Sequence, residues 1–180
     1  DNGFSFTFTD KLRAIENLKE KNFQGVILYY HEEKHCDHLL NRFKEFVAHG
    51  GGVLAIHSAM ASFKENKEYQ DILGGRFLGH GAVRELKVVS KCKQLHTLKE
   101  SLSFSIKDEL YIHEYHGNNR VLWACKYNGK EEPVVWTKSY GSGRVCYFSL
   151  GHRSKTFQNK AVQEIISHAL HWITGSGVDI

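Results

Sequence analysis

Residues Gly50 to Met60 read GGGVLAIHSAM. Three glycines lead into a short apolar run, Val53 to Ile56, which stops at His57, Ser58 and Ala59. A run of this kind has no polar alternation and is bounded by turn residues. It is the pattern of a strand buried on both faces, as in a parallel sheet covered by helices. In open sheets of that type, ligands bind beyond the carboxyl ends of the strands. His57 and Ser58 fall at such an end. The plain alternative is a structural His57 that caps the next helix.

With 180 residues the chain is long enough for one domain, 1–180, with a real core, and no repeat or linker divides it. The net charge of +4 comes from Lys and Arg interleaved with acids. That is not the basic stripe of a nucleic-acid binder, so no nucleic-acid partner is expected. No apolar run approaches the roughly 18 residues that cross a membrane, and no signal peptide is visible. The expectation is a cytoplasmic protein with no membrane partner; a homo-oligomer stays open. Cys36, Cys92, Cys125 and Cys146 match no zinc or disulfide spacing and read as reduced thiols.

In chain order, Phe4, Phe6 and Phe8 alternate with Ser5, Thr7 and Thr9, a period of two that predicts a strand. Asp10 predicts the cap of a helix through Lys19, and Phe23 to Tyr30 a second buried strand. His31 to His38 (HEEKHCDH) reads as a solvated loop rather than a ligand site. Asp37 predicts the cap of a helix over Leu39 to His49, which Gly50 stops. A helix over Glu68 to Leu73 ends at Gly74 and Gly75. Arg76 to Gly81 reads as a glycine-flanked turn presenting His80. Val83 to Val89 predicts a strand, Leu95 to Leu102 a short amphipathic piece, and Arg120 to Tyr127 another strand. Asn128-Gly129 predicts a hairpin turn. Pro133 opens a strand Val134 to Thr137, Tyr140 to Gly143 is a tight turn, and Arg144 to Ser149 is the last strand. An amphipathic helix over Gln158 to Ile173 follows. The early alternation of strands and helices predicts an α/β fold. Its sheet is expected to be mainly parallel, with helices on both faces and an antiparallel extension.

Two strands end in a histidine, VLAI-His57 and VCYFSLG-His152, and in a parallel sheet those ends share one edge. His80 sits between glycines that leave it accessible. Histidine takes and gives protons near neutral pH and is a common ligand of zinc-like metals. With Glu109 as the carboxylate, His57, His80 and His152 suit acid–base chemistry or a divalent metal. Asp108 and Glu109 are adjacent, and neighbours in a strand point to opposite faces. One of them at most is therefore expected at the site, and Glu109, which would share a face with Tyr111, is the choice.

These segments resemble the ThuA-like (trehalose-utilisation) family. They are GGGVLAIHSA (Gly50 to Ala59), ILGGRFLGH (Ile72 to His80), DELY (Asp108 to Tyr111), PVVWTKSYGSGRVCYFSLGH (Pro133 to His152) and the closing helix with Trp172. The resemblance runs from about Phe23 to Trp172. It implies the flavodoxin-like fold of the class I glutamine amidotransferases. It also implies a first strand and a glycine- or histidine-containing loop ahead of Asp1, without which the sheet lacks a central strand and the site one wall. In that superfamily a cysteine nucleophile sits on a strand-to-helix elbow. Here VLAIHSA matches the elbow and His57 holds the cysteine's place, with His152 near the place of the catalytic histidine. Cysteine-dependent amide hydrolysis is therefore not expected, and Ser58 lacks the glycines of a GxSxG elbow.

The implied substrate class is trehalose or related, oxidised (keto) sugars. The implied activity is that of a hydrolase, lyase or isomerase using His57, His80, His152 and Glu109. The substrate-binding positions would be Ser58, Tyr111, Trp136, Gly151 and Arg153, with Tyr115 and Tyr140 as further aromatic faces. The alternative is a non-catalytic sugar-binding or regulatory module on the same scaffold.

Overall fold

The computed structural model describes residues 3–18, 21–34, 36–92 and 102–176. Along these residues run β1 (Gly25–Leu28), α1 (Asp37–Ala48), β2 (Gly52–Ile56), α2 (Lys67–Leu73), β3 (Gly75–His80) and β4 (Arg84–Ser90). Then come β5 (Ser103–Asp108), β6 (Tyr111–Tyr115), β7 (Arg120–Tyr127), β8 (Lys130–Tyr140), β9 (Gly143–Phe148) and α3 (Lys160–Ile173). Seven strands form a mixed sheet in the order β1-β2-β9-β8-β7-β4-β5, while β3 and β6 pair separately.

The run that most constrained the sequence is β2, and all of its residues are buried. Its side chains divide by parity. Val53 and Ala55 join the cluster under α1 and α2, with Phe43, Phe46, Trp136 and Tyr147. Leu54 and Ile56 join the cluster under α3, with Val162, Ile165, Cys146 and Phe148. Helices therefore cover both faces, as the unbroken apolar run requires.

The sheet is not mainly parallel. Only β1–β2 and β2–β9 pair in parallel; β9–β8, β8–β7, β7–β4 and β4–β5 are all antiparallel. The connections explain this. A parallel neighbour needs a crossover, which α1 supplies between β1 and β2. The links at Asn128-Gly129 and Gly141-Ser142 are tight turns, and those join only antiparallel strands. Although β5 is four positions from β9 in the sheet, its last residue, Asp108, accepts a hydrogen bond from Gly151 just beyond β9. The antiparallel half therefore curls back far enough for the end of β5 to meet the loop after β9.

Other expectations need correction. Residues 4–9 form no strand; Phe6 is 49% and Phe8 88% exposed, because their alternation meets no partner strand. The segment after Asp10 is a 3-10 helix, Leu12–Asn17, with Lys11 at its cap position. Asp37 is the first residue of α1 rather than its cap. Arg76 to Gly81 belongs to β3, which β6 pairs antiparallel, and is not a turn. Pro133 lies inside the long β8, next to a slip in the β7 register, where a missing N–H is tolerated. The piece Leu95 to Leu102 falls almost wholly outside the described residues.

Candidate functional site

His57 is the first residue after β2 and opens a short 3-10 helix, His57–Ala61. Its φ is +44°, a left-handed value that costs a non-glycine residue roughly 1 kcal/mol or more. Strand β9, the parallel neighbour of β2, holds it there. Tyr147 Oη donates to the His57 carbonyl at 3.1 Å, and the His57 ring nitrogen Nδ1 lies 2.7 Å from the Ser149 carbonyl. A carbonyl only accepts, so Nδ1 carries the ring proton and Nε2 presents a lone pair. Burial lowers the imidazole's pKa. The Ser149 carbonyl and the carboxylates of Asp108 and Glu109 oppose that shift only in part. His57 is thus a neutral imidazole at neutral pH.

Glu109, in the short link between β5 and β6, is 7% exposed and meets three histidines. Its Oε1 lies 2.9 Å from His80 Nδ1; its Oε2 lies 3.5 Å from His57 Nε2 and 3.5 Å from His152 Nδ1. His80 ends β3, and its Nδ1 also lies 3.1 Å from the Gly81 carbonyl. Two acceptors fix the proton on Nδ1 and leave Nε2 as a base on a half-exposed ring. A carboxylate that orients an imidazole and leaves its Nε2 open is an arrangement able to serve general-base chemistry.

Tyr111 floors the site, 4.0 Å from the His57 ring, 4.5 Å from Phe77 and 5.9 Å from His80, centroid to centroid. Burial, with Glu109 adding to it, pushes the Tyr111 hydroxyl up to about 12, so it stays a neutral phenol.

The structure thus brings His57, His80, His152, Glu109 and Tyr111 together from four separate segments. Gly151 is also at the site, but as part of its frame: its φ is +135°, its N–H donates to Asp108 and its carbonyl accepts from Tyr29 Oη at 2.7 Å. Ser58 is partly buried beside His57, and its carbonyl accepts from Ser62 Oγ. Arg153 is partly buried and stands at the cap position of the 3-10 helix Ser154–Gln158.

Trp136 offers no face to a ligand: it is wholly buried, packs on Tyr147 at 4.5 Å and donates its indole N–H to the Leu73 carbonyl. Tyr140 lies by Lys44 and Glu68 on the α1 and α2 side. Cys125 and Cys146 are buried strand residues whose thiols burial pushes up to about 11 and about 12.

Asp108, which the alternation rule set aside, is fully buried and accepts three hydrogen bonds at this site. The rule failed because β5 ends at Asp108, so Glu109 is not its neighbour in a strand. Tyr29, Tyr147 and the Ser149 carbonyl were also missed, and only Tyr147 carried a signal, its place in the strand beside β2.

One ligand atom from each of His57, Glu109 and His152 lies within 4.8 Å of the others. Neighbouring ligand atoms around a tetrahedral zinc-sized ion are about 3.4 Å apart, close to the 3.5 Å contacts that Glu109 makes with His57 and His152. The Nε2 lone pair of His57 faces a carboxylate oxygen with no hydrogen between them, an arrangement that a cation relieves. The donor set therefore fits a divalent metal. Of the expected trio, His57 and His152 meet at Glu109 Oε2, while His80 contacts the other carboxylate oxygen, Oε1.

A family model described as trehalose utilisation (ThuA) matches residues 1–173. Similar solved structures include a protein described as ThuA-like from Parabacteroides merdae ATCC 43184, with 24% identity and a TM-score of 0.73, covering 89% of this chain and 73% of that one. A second ThuA-like protein, from Bacteroides uniformis ATCC 8492, has 19% identity and a TM-score of 0.78, covering 95% and 77%. A cytoplasmic protein from Salmonella typhimurium LT2 has 18% identity and a TM-score of 0.64, covering 92% and 76%. At these identities the likeness concerns the fold. No curated protein matches the chain. No helix among the described residues is long and apolar enough to cross a membrane.

Proposed function

This chain belongs to the ThuA (trehalose-utilisation) family, and from that premise we propose that it is a sugar-processing enzyme that moves a proton on a trehalose-type or keto-sugar substrate. The observation that carries the reading is the buried carboxylate of Glu109, shared by three histidines from three segments.

The two oxygens of Glu109 divide the labour. Oε1 orients His80, so that Nε2 of that ring takes a proton from the sugar and returns it, as isomerisation, elimination or hydrolysis each require. Oε2, with His57 and His152, would hold a divalent cation of the zinc class. When bound, such an ion polarises a carbonyl or acidifies a water. Tyr111, packed against His57 and Phe77, makes the apolar floor beneath these groups. His80 and His152 are each about half exposed and so are open to a substrate from solvent.

The first prediction separates these roles. Purified protein is expected to carry zinc or a similar metal. His57→Ala and His152→Ala lose it, whereas His80→Ala keeps it and loses turnover of a trehalose and keto-sugar panel by about 10²-fold or more. Metal content unchanged in both His57→Ala and His152→Ala removes the metal. Sugar binding without turnover in the wild type favours the binding-module reading instead.

A further inference from the structure

Asp108 is buried without any positive side chain against it among the described residues, and all its hydrogen-bond donors come from the frame of the site. Oδ1 accepts from the Glu109 N–H at 2.8 Å. Oδ2 accepts from the Gly151 N–H at 2.8 Å and from Thr156 Oγ1 at 2.6 Å. Glu109 and His152 are the residues directly following Asp108 and Gly151. One carboxylate therefore ties together the two backbone segments that carry two of the three candidate ligands.

Those segments share the core under α3 through Ile106, Leu110, Phe148 and Leu150, but packing of apolar side chains has no fixed hydrogen-bond register. Asp108 ends β5, at the far edge of the sheet, and Gly151 follows β9, at its centre. No ladder hydrogen bond runs between those two strands. Gly151 holds a φ of +135°, which glycine reaches without steric cost, so its partners rather than its own backbone fix it in the loop. Those partners are Asp108 on its N–H and Tyr29 on its carbonyl. Three hydrogen bonds of 2.6 to 2.8 Å converge on this one buried side chain.

We infer that Asp108 is a positioning residue that sets the distance between Glu109 and His152, and hence the affinity and geometry of the cation site. This rests on the metal reading given above. An aspartate suits the role better than an asparagine. An amide in its place could serve the Gly151 and Thr156 donors with its one oxygen, but its NH2 group would then face the Glu109 N–H.

The test is zinc affinity by competition with a chromophoric chelator, paired with the visible spectrum of the cobalt(II)-substituted protein. The proteins are the wild type, Asp108→Asn and Thr156→Val, with folding checked by circular dichroism. Thr156→Val removes one of the three donors and keeps the shape of the side chain. Asp108→Asn is expected to weaken zinc binding by about 10- to 100-fold, as loss of an outer partner of a ligand does, and to change the cobalt spectrum. Thr156→Val is expected between that and the wild type. Asp108→Asn that folds and binds zinc within about twofold of the wild type, with the same cobalt spectrum, overturns the inference and leaves the metal reading standing. If Asp108→Asn does not fold, Thr156→Val decides: weakened binding supports the inference, and wild-type affinity overturns it. A wild type that binds no zinc overturns both.

Discussion

His113 lies fully inside the protein, with the rings of Trp136 at 5.1 Å and Tyr147 at 5.3 Å from its own. Because Tyr147 Oη gives its proton to the His57 carbonyl, it accepts from His113 Nε2 at 3.2 Å, and His113 Nδ1 is left a buried nitrogen with no partner among the described residues. Burial, with His57 adding to it, lowers the His113 pKa to about 3. The folded protein thus keeps this ring neutral where the unfolded chain, with an ordinary value near 6.5, takes a proton. Stability from this residue is complete above about pH 6.5 and declines by a few kcal/mol as the pH falls towards about 3. Urea unfolding at about pH 7 and about pH 4.5 checks this: His113→Phe is expected to show a shallower loss than the wild type. An equal pH slope in the two proteins refutes it. The sequence showed His57, His80 and His152 because each ends a strand or sits beside glycine. It could not show His113, whose neighbours come from β8 and β9.

Elements were legible wherever a local pattern decided them. The apolar run of β2, the spacing of Leu40, Phe43, Phe46 and Val47 in α1, and the helix after Asn159 all follow from side-chain periodicity. The strand expected at Phe4 to Phe8 was not legible in that way, because alternation states a preference and pairing needs a partner. The mistaken turn at Arg76 to Gly81 is the reverse case: glycines suggested a break, and β6 supplied an edge that paired the segment. Close packing between elements was equally silent in the sequence. Gly52 of β2 meets the end of α3, where an added Cβ would lie 2.3 Å from the Ile173 carbonyl oxygen. Backbone at that distance cannot yield cheaply. Gly52→Ala is expected to destabilise the fold by about 1–3 kcal/mol through forced displacement of α3. A thermal melt within experimental error of the wild type would show that α3 can shift without cost.

Across the whole molecule, the curl that brings the end of β5 to the loop after β9 assembles the site from residues far apart in sequence. The bond from His57 to the Ser149 carbonyl spans 92 positions, and that from Gly151 to Asp108 spans 43. Closing loops of that size costs chain entropy before any contact offsets it, so these contacts are expected to form late in folding. In small zinc modules the metal gathers neighbouring ligands and can organise an unfolded chain. Here the ion would find no site until the sheet has curled. Zinc is therefore expected to slow unfolding and to leave the refolding rate unchanged, since its ligands come together after the barrier. Stopped-flow refolding with zinc and with a chelator tests this, and faster refolding in zinc would place the curl before the barrier. On that expectation the curl acts as an order of events: the sheet closes first, and the candidate site exists only in a chain that has finished folding.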